Sequence, residues 1–209
     1  MSEEKRATRE EIFSHLRELL GDDAINVSTH IHRLALEKNY EASLAKLKEY
    51  DATLGGIGVY KSEGKKMTGI YRAFFYVELP FIAKNPEEDS RDIIEAACGY
   101  LEALIKRVRR LSFVEKLKDS YKEGLPLGSL LYKVKNLLPS DIFEEATWLN
   151  KKVYVFAKHN YDFGDDESDA PEHYFELEEA VAVYLIVRVL GKEIERIGKK
   201  TQDELLQYP

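Results

Sequence analysis

Cysteine is nearly absent: Cys98 is the one thiol in 209 residues. A lone cysteine cannot close an internal disulfide, so the fold owes nothing to oxidation. Cys98 sits in Glu95-Ala96-Ala97-Cys98-Gly99-Tyr100, a small-residue stretch that reads as a helix face with a buried, unreactive thiol. Long apolar runs are missing too. The most apolar, Ala180 to Leu190, is interrupted by Arg188 and is too short to span a bilayer. The opening Met1-Ser2-Glu3-Glu4-Lys5-Arg6 is charged with no apolar stretch behind it, which is not the pattern of a secretory signal. Positive charge is not in excess either. The net charge of −7 gives the whole molecule no attraction for nucleic acid, so an RNA site would need a local basic patch. HExxH, CxxC and GxSxG patterns are absent. Gly55-Gly56-Ile57-Gly58 has no following GKS or GKT and reads as a loop rather than a phosphate cradle. These absences give the expectation of a soluble, cytoplasmic protein with no membrane contact, no cofactor and no metal.

What is present is charge and helical periodicity. Charged residues make up 33% of the chain, above the ~25% usual for soluble domains, so exposed helix faces must carry the excess. Thr8 followed by Glu11 forms a capping box, with Ile12, Phe13, Leu16, Leu19 and Leu20 at helical spacing behind it and Gly21 as the stop. A second helical region is expected from about Asp23 to Ala52, with a bend near Asn39. The aromatic stretch from Thr68 to Ala83 fits a buried helix with Pro80 near its end. Asn85-Pro86 is the clearest break and the best boundary between two halves. Asp89 or Ser90 should cap a long helix through Leu111. Further helices are read over Phe113–Tyr121 and Leu127–Leu138. Ser140 should cap a helix running on into Val153–Ala157. The last helix begins near Glu176 and is apolar enough to be central. The fold class expected is all-α: a helical bundle over residues 86–209 with an N-terminal helical extension over 1–85, or the two as one continuous domain.

One place hints at chemistry. Leu149-Asn150-Lys151-Lys152-Val153-Tyr154-Val155-Phe156-Ala157-Lys158-His159 is an apolar helical stripe ending in a Lys-His pair, followed by a polar, acidic loop. Four long helical segments follow Pro86, the third ending in that pair. This order resembles the HEPN (higher eukaryotes and prokaryotes nucleotide-binding) superfamily over roughly residues 88–200. The resemblance implies a helical bundle, often a homodimer, and in many members a metal-independent ribonuclease built on an Arg that precedes a His by a few residues. His159 stands at the histidine position. Lys152 is the cation in the window that should hold the arginine, and no Arg is present there. Under this resemblance His159 is the general base, Lys152 steadies the phosphate, and Asn150, Lys151 and Lys158 bind substrate. A neutral imidazole can take the proton of a ribose hydroxyl, while lysine offers a mobile point charge where arginine offers a planar fork.

Lys106-Arg107-Val108-Arg109-Arg110 is the densest basic cluster. Arg107, Arg109 and Arg110 read either as phosphate contacts or as a solvated helix end that complements the dipole. Lys158 and His159 admit the same helix-end reading. The acidic run at Asp162, Asp165, Asp166, Glu167 and Asp169 lacks calcium-loop spacing. His30 and His32 fall on different faces of one helix, and His15 and His173 have no ligand partner nearby in sequence. Two functions from different classes follow. The first is an RNA-interacting, HEPN-like protein that is a weak or degenerate ribonuclease. The second is a non-catalytic helical interaction protein that dimerises, or takes a protein partner, through Tyr71, Phe74, Phe75 and Tyr76.

Overall fold

Capping chemistry sets the helix boundaries. The computed structural model describes residues 5–54, 69–112, 126–158 and 174–206. Thr8 accepts from the Glu11 N–H at 3.2 Å and Glu11 accepts from the Thr8 N–H at 2.7 Å, which starts α1 (Arg9–Leu20) with the expected capping box. Gly21, at φ +78°, ends α1 and directly precedes α2 (Asp22–Leu36); only glycine takes that backbone conformation without strain. The bend expected near Asn39 is a full break. Lys38 adopts φ +59°, its N–H bonds the Ala35 carbonyl at 2.7 Å, and the Asn39 N–H bonds Leu34 at 2.8 Å. This paired arrangement closes α2, and the Asn39 side chain then caps α3 (Tyr40–Thr53). The same device recurs after α4 (Gly69–Ile82), where Lys84 takes φ +64° and the Asn85 N–H bonds Pro80 at 2.9 Å. A Lys-Asn pair thus ends two helices, with a lysine where glycine is usual.

Downstream lie α5 (Ser90–Ser112), α6 (Leu127–Val134) with a tighter turn at Lys135–Leu137, α7 (Ser140–Leu149), α8 (Val155–Lys158) and α9 (Leu177–Leu206). The protein is an all-α helical bundle. Ser140 does not cap α7: Pro139 holds that position, Ser140 is the first helical residue, and its hydroxyl donates to Glu144. Proline at the cap has no side-chain acceptor, and Asp141 in the first turn complements the helix dipole instead. Phe113–Tyr121 lies outside the described residues.

The central helix is α9. Every residue from Leu177 to Arg188 is buried. It packs most heavily on α5, while α1 and α2 cover its other side and α4 backs α5. Gly191 permits the α5–α9 approach, because a Cβ there would sit 2.5 Å from Cε1 of Tyr100. Residues from both halves of the chain, Ile12 and Ile31 as much as Ile94 and Val183, share one buried cluster. Burial of such side chains, about 1.5–3 kcal/mol each, is the main stabilising term. Inside this apolar layer Arg188 meets Asp51 of α3 at 2.5 Å, Tyr184 donates to the same carboxylate at 2.8 Å, and Arg188 donates to the Tyr100 hydroxyl at 3.1 Å. Burial pushes both phenols up, and the Asp51 carboxylate keeps Arg188 protonated despite its burial. Among the described residues no helix is long and apolar enough to cross a membrane.

Candidate functional site

The helix that carries the Lys-His pair is not a plain α-helix. Between α7 and α8 the backbone widens into a π-helical turn, Asn150–Tyr154, in which the Val155 N–H reaches back to the Asn150 carbonyl. The strand-prone Val153-Tyr154-Val155-Phe156 is helical, as its flanks implied. The Lys152 carbonyl accepts from the Ala7 N–H at 2.8 Å, and the Lys152 ammonium donates to the Lys5 carbonyl at 3.3 Å. Lys152 therefore anchors the N-terminal segment through both its main chain and its side chain.

The other residues singled out in the sequence go elsewhere. Asn150 is half-buried against Gly128, where a Cβ would lie 3.0 Å from its Nδ2. Lys151 is exposed. Lys158 is exposed and stands 5.4 Å from the centroid of the Tyr154 ring, a cation–π distance. Lys152 and Lys158 thus lean on different neighbours, the N-terminal segment in one case and the α5–α8 seam in the other. His159 lies outside the described residues. Arg107, Arg109 and Arg110 fall on the last turns of α5, and their side chains are likewise outside the described residues.

Sequence reasoning missed the residues that α5 brings to the same helix end. Arg91 donates to the Ala157 carbonyl from Nε at 3.2 Å and from Nη2 at 2.8 Å, placing a guanidinium at the exit of α8. One turn on, Glu95 has a buried Oε1 with no hydrogen-bond partner among the described residues. Burial, helped by Asp92, raises its carboxyl above the ordinary carboxylate range, against the pull of Arg91 and Lys158. Tyr154 across the seam is pushed up by burial and by the acidic neighbours Glu95 and Glu102. Cys98, one turn further along α5, is fully buried and its thiol is held far from ionisation, so it is the inert core thiol expected. The i, i+4, i+7 spacing of Arg91, Glu95 and Cys98 puts them on one helix face, but only the tertiary fold aims that face at α8.

Two further clusters are partly accessible. His15 of α1 stacks on Trp148 of α7, with ring centroids 3.5 Å apart and planes 18° from parallel, and its Nδ1 meets both oxygens of Glu145 at 2.7 and 2.9 Å. At the start of α9, Arg6 grips Glu179 with a shortest contact of 2.8 Å while lying 4.1 Å over the Phe175 ring, and Arg9 pairs with the buried Glu178. Burial raises the Glu179 carboxyl even though Arg6 and the Glu176 N–H draw it down.

The aromatic helix α4 departs from expectation. Val77 and Phe81 are buried as expected, but Phe75, Tyr76, Leu79 and Ile82 are 42%, 47%, 40% and 54% exposed. They form an apolar stripe at helical spacing on the outward side. Tyr71 and Phe74 have side chains outside the described residues. Comparisons of the chain with family models, with curated proteins and with solved structures find no match.

Proposed function

We propose that this chain is a helical interaction protein that pairs with a second copy of itself through α4. The observation that carries this reading is the outward stripe of Phe75, Tyr76, Leu79 and Ile82. Aromatic and large aliphatic side chains in one uncovered row are the compositional signal of an interface core. The stripe holds no charged residue. Beside it Glu78 is neutralised by Lys48 at 3.0 Å. Two acidic chains therefore meet there without like charges opposing, and a two-fold pairing makes the same apolar row its own complement. Scaling ordinary side-chain areas by these exposures gives about 350 Å² per copy, or about 700 Å² per pair. That is below the ~1,200 Å² of a stable complex, so the pairing should be weak and concentration-dependent. Sedimentation velocity over a wide concentration range tests it. The wild type should move toward a dimer on concentration, and Leu79→Lys should stay monomeric with unchanged helicity. A wild type that remains monomeric throughout refutes the reading.

A second reading is favoured by the cations at the end of α8, exposed Lys158 and the Arg91 guanidinium on Ala157, with exposed Lys151 in the π-helical turn before it. Here the protein is a HEPN-like RNA-interacting chain, a weak or degenerate metal-independent ribonuclease with His159 as base. Lys152, tied to Lys5, is a poorer phosphate cation than the sequence suggested, and Arg91 is the better-placed one. Incubating mixed RNA in EDTA with the wild type and with His159→Ala separates the cases. Cleavage by the wild type alone supports the enzyme, retention lost on Arg91→Ala supports a binder, and no interaction removes the RNA reading.

A further inference from the structure

We infer that His32, Glu176 and Glu178 form a binding site for a divalent transition metal of zinc type, joining the end of α2 to the start of α9. One ligand atom from each residue lies within 4.8 Å of the others. The donors converge from two elements far apart in the chain, an imidazole on α2 and two carboxylates at α9. This nitrogen–oxygen–oxygen set is one that zinc and its neighbours accept and that calcium and magnesium do not favour.

The detailed geometry supports the assignment. His32 Nδ1 stands 3.9 Å from Oε2 of Glu178. That is too long for a hydrogen bond, yet close to the ~3.4 Å that separates two ligands of one tetrahedral ion with bonds of about 2.0–2.1 Å. The His32 side chain is only 17% exposed, and its ring makes no hydrogen bond among the described residues. Glu178 is already oriented as a metal carboxylate would be. Its Oε1 is held by Arg9, and its Oε2, with the Thr29 hydroxyl 3.3 Å away, faces His32. Outer contacts of that kind fix a ligating carboxylate and leave one oxygen for the ion. Glu176 is exposed and gives the ion a route in from solvent.

The local charge is compatible. Arg6 is balanced by Glu179, which leaves Arg9 against Glu176 and Glu178. Three protein donors leave at least one coordination position open to water or to a fourth ligand. A bound ion would clamp α2 to α9 and add to stability by mass action.

The test uses the full chain and zinc chloride alone. Isothermal titration should show one equivalent bound with a rise in melting temperature, and cobalt(II) should develop the visible absorption of a low-coordinate site. Glu176→Gln, on an exposed side chain that the fold does not need, should weaken binding at least tenfold without changing the metal-free melting temperature. His32→Ala should abolish the cobalt spectrum. Absence of binding to the wild type overturns the site. So does binding that both variants retain, which would place the ion elsewhere.

Discussion

Replacing Asp51 by alanine removes the only acidic partner described for Arg188 in the middle of the bundle. The two side chains are 5% and 6% exposed, so solvent screening offers the stranded guanidinium little relief. Breaking one side of such a buried pair typically costs about 3–5 kcal/mol, because the remaining charge keeps its desolvation penalty without its counter-ion. Tyr184 loses its acceptor in the same step, which holds the estimate at the upper part of that range. For a chain whose total stability is of order 5–15 kcal/mol, this is a change of about three orders of magnitude or slightly more in the folding constant. Urea denaturation followed by circular dichroism should place the midpoint roughly 1–2 M lower. The double variant Asp51→Leu, Arg188→Met should recover much of the loss, since an apolar pair of similar volume often replaces a buried ion pair without penalty. The recovery stays partial because the hydrogen bonds of the Tyr184 hydroxyl to Asp51 and of Arg188 to the Tyr100 hydroxyl are both lost. Arg196→Ala, which breaks the exposed pair with Glu193, serves as the control and should change stability by less than about 0.5 kcal/mol. A loss below about 1 kcal/mol for Asp51→Ala, or a double variant no better than the single, would refute the account of the core as built around this pair.

Gly191→Ala should destabilise by up to about 2 kcal/mol: overpacking of its Cβ against Cε1 of Tyr100 at 2.5 Å and Cδ1 of Leu104 at 3.1 Å costs about 1–3 kcal/mol, and the better helix propensity of alanine offsets about 1 kcal/mol of that. A raised melting temperature would show that Tyr100 moves away without cost. Glu95→Gln tests the buried carboxyl at the α5–α8 seam. The Glu95 carboxyl is raised in the folded chain above its usual 4.5, so the folded state holds its proton to higher pH than the unfolded state does. The stability tied to it is full below that ordinary value and is lost as pH rises through the raised one; Asp89 and Glu179 act in the same direction. Glu95→Gln should therefore be more stable than the wild type near neutral pH and should flatten the decline between acid and neutral solution. Denaturation curves at acid and neutral pH check this, and a variant that loses stability at neutral pH contradicts it.

How far the sequence could be read depended on the range of the interaction. The Thr8–Glu11 box and the stop at Gly21 were legible because each is settled within a few residues. The Lys38 break was not, since nothing local asks a lysine to take a positive φ; closing α2 there lets α3 fold back on it, with the Ser43 hydroxyl on the Ile31 carbonyl at 2.9 Å. The aromatic stretch at Phe74–Phe81 showed a helix but not which side stays uncovered. At the candidate site, Lys151, Lys152 and Lys158 were visible as cations along one helical stretch that ends at His159. That Lys152 would turn to Lys5, and that Arg91 and Glu95 would arrive from α5, required the packing of helices distant in the chain. His15 had no partner in its own neighbourhood, and the fold supplied Glu145 and Trp148.

The sequence by itself determined that this protein is helical, where most helices begin and end, and that Ala180 to Leu190 would lie inside. Those outcomes follow from periodicity and from caps, which act over one or two turns. Tertiary structure alone decided which buried charges meet, which end of α8 the Arg91 guanidinium reaches, and which three donors gather between α2 and α9. Each of these depends on side chains distant in sequence being pressed together by an apolar core that takes no account of their charge.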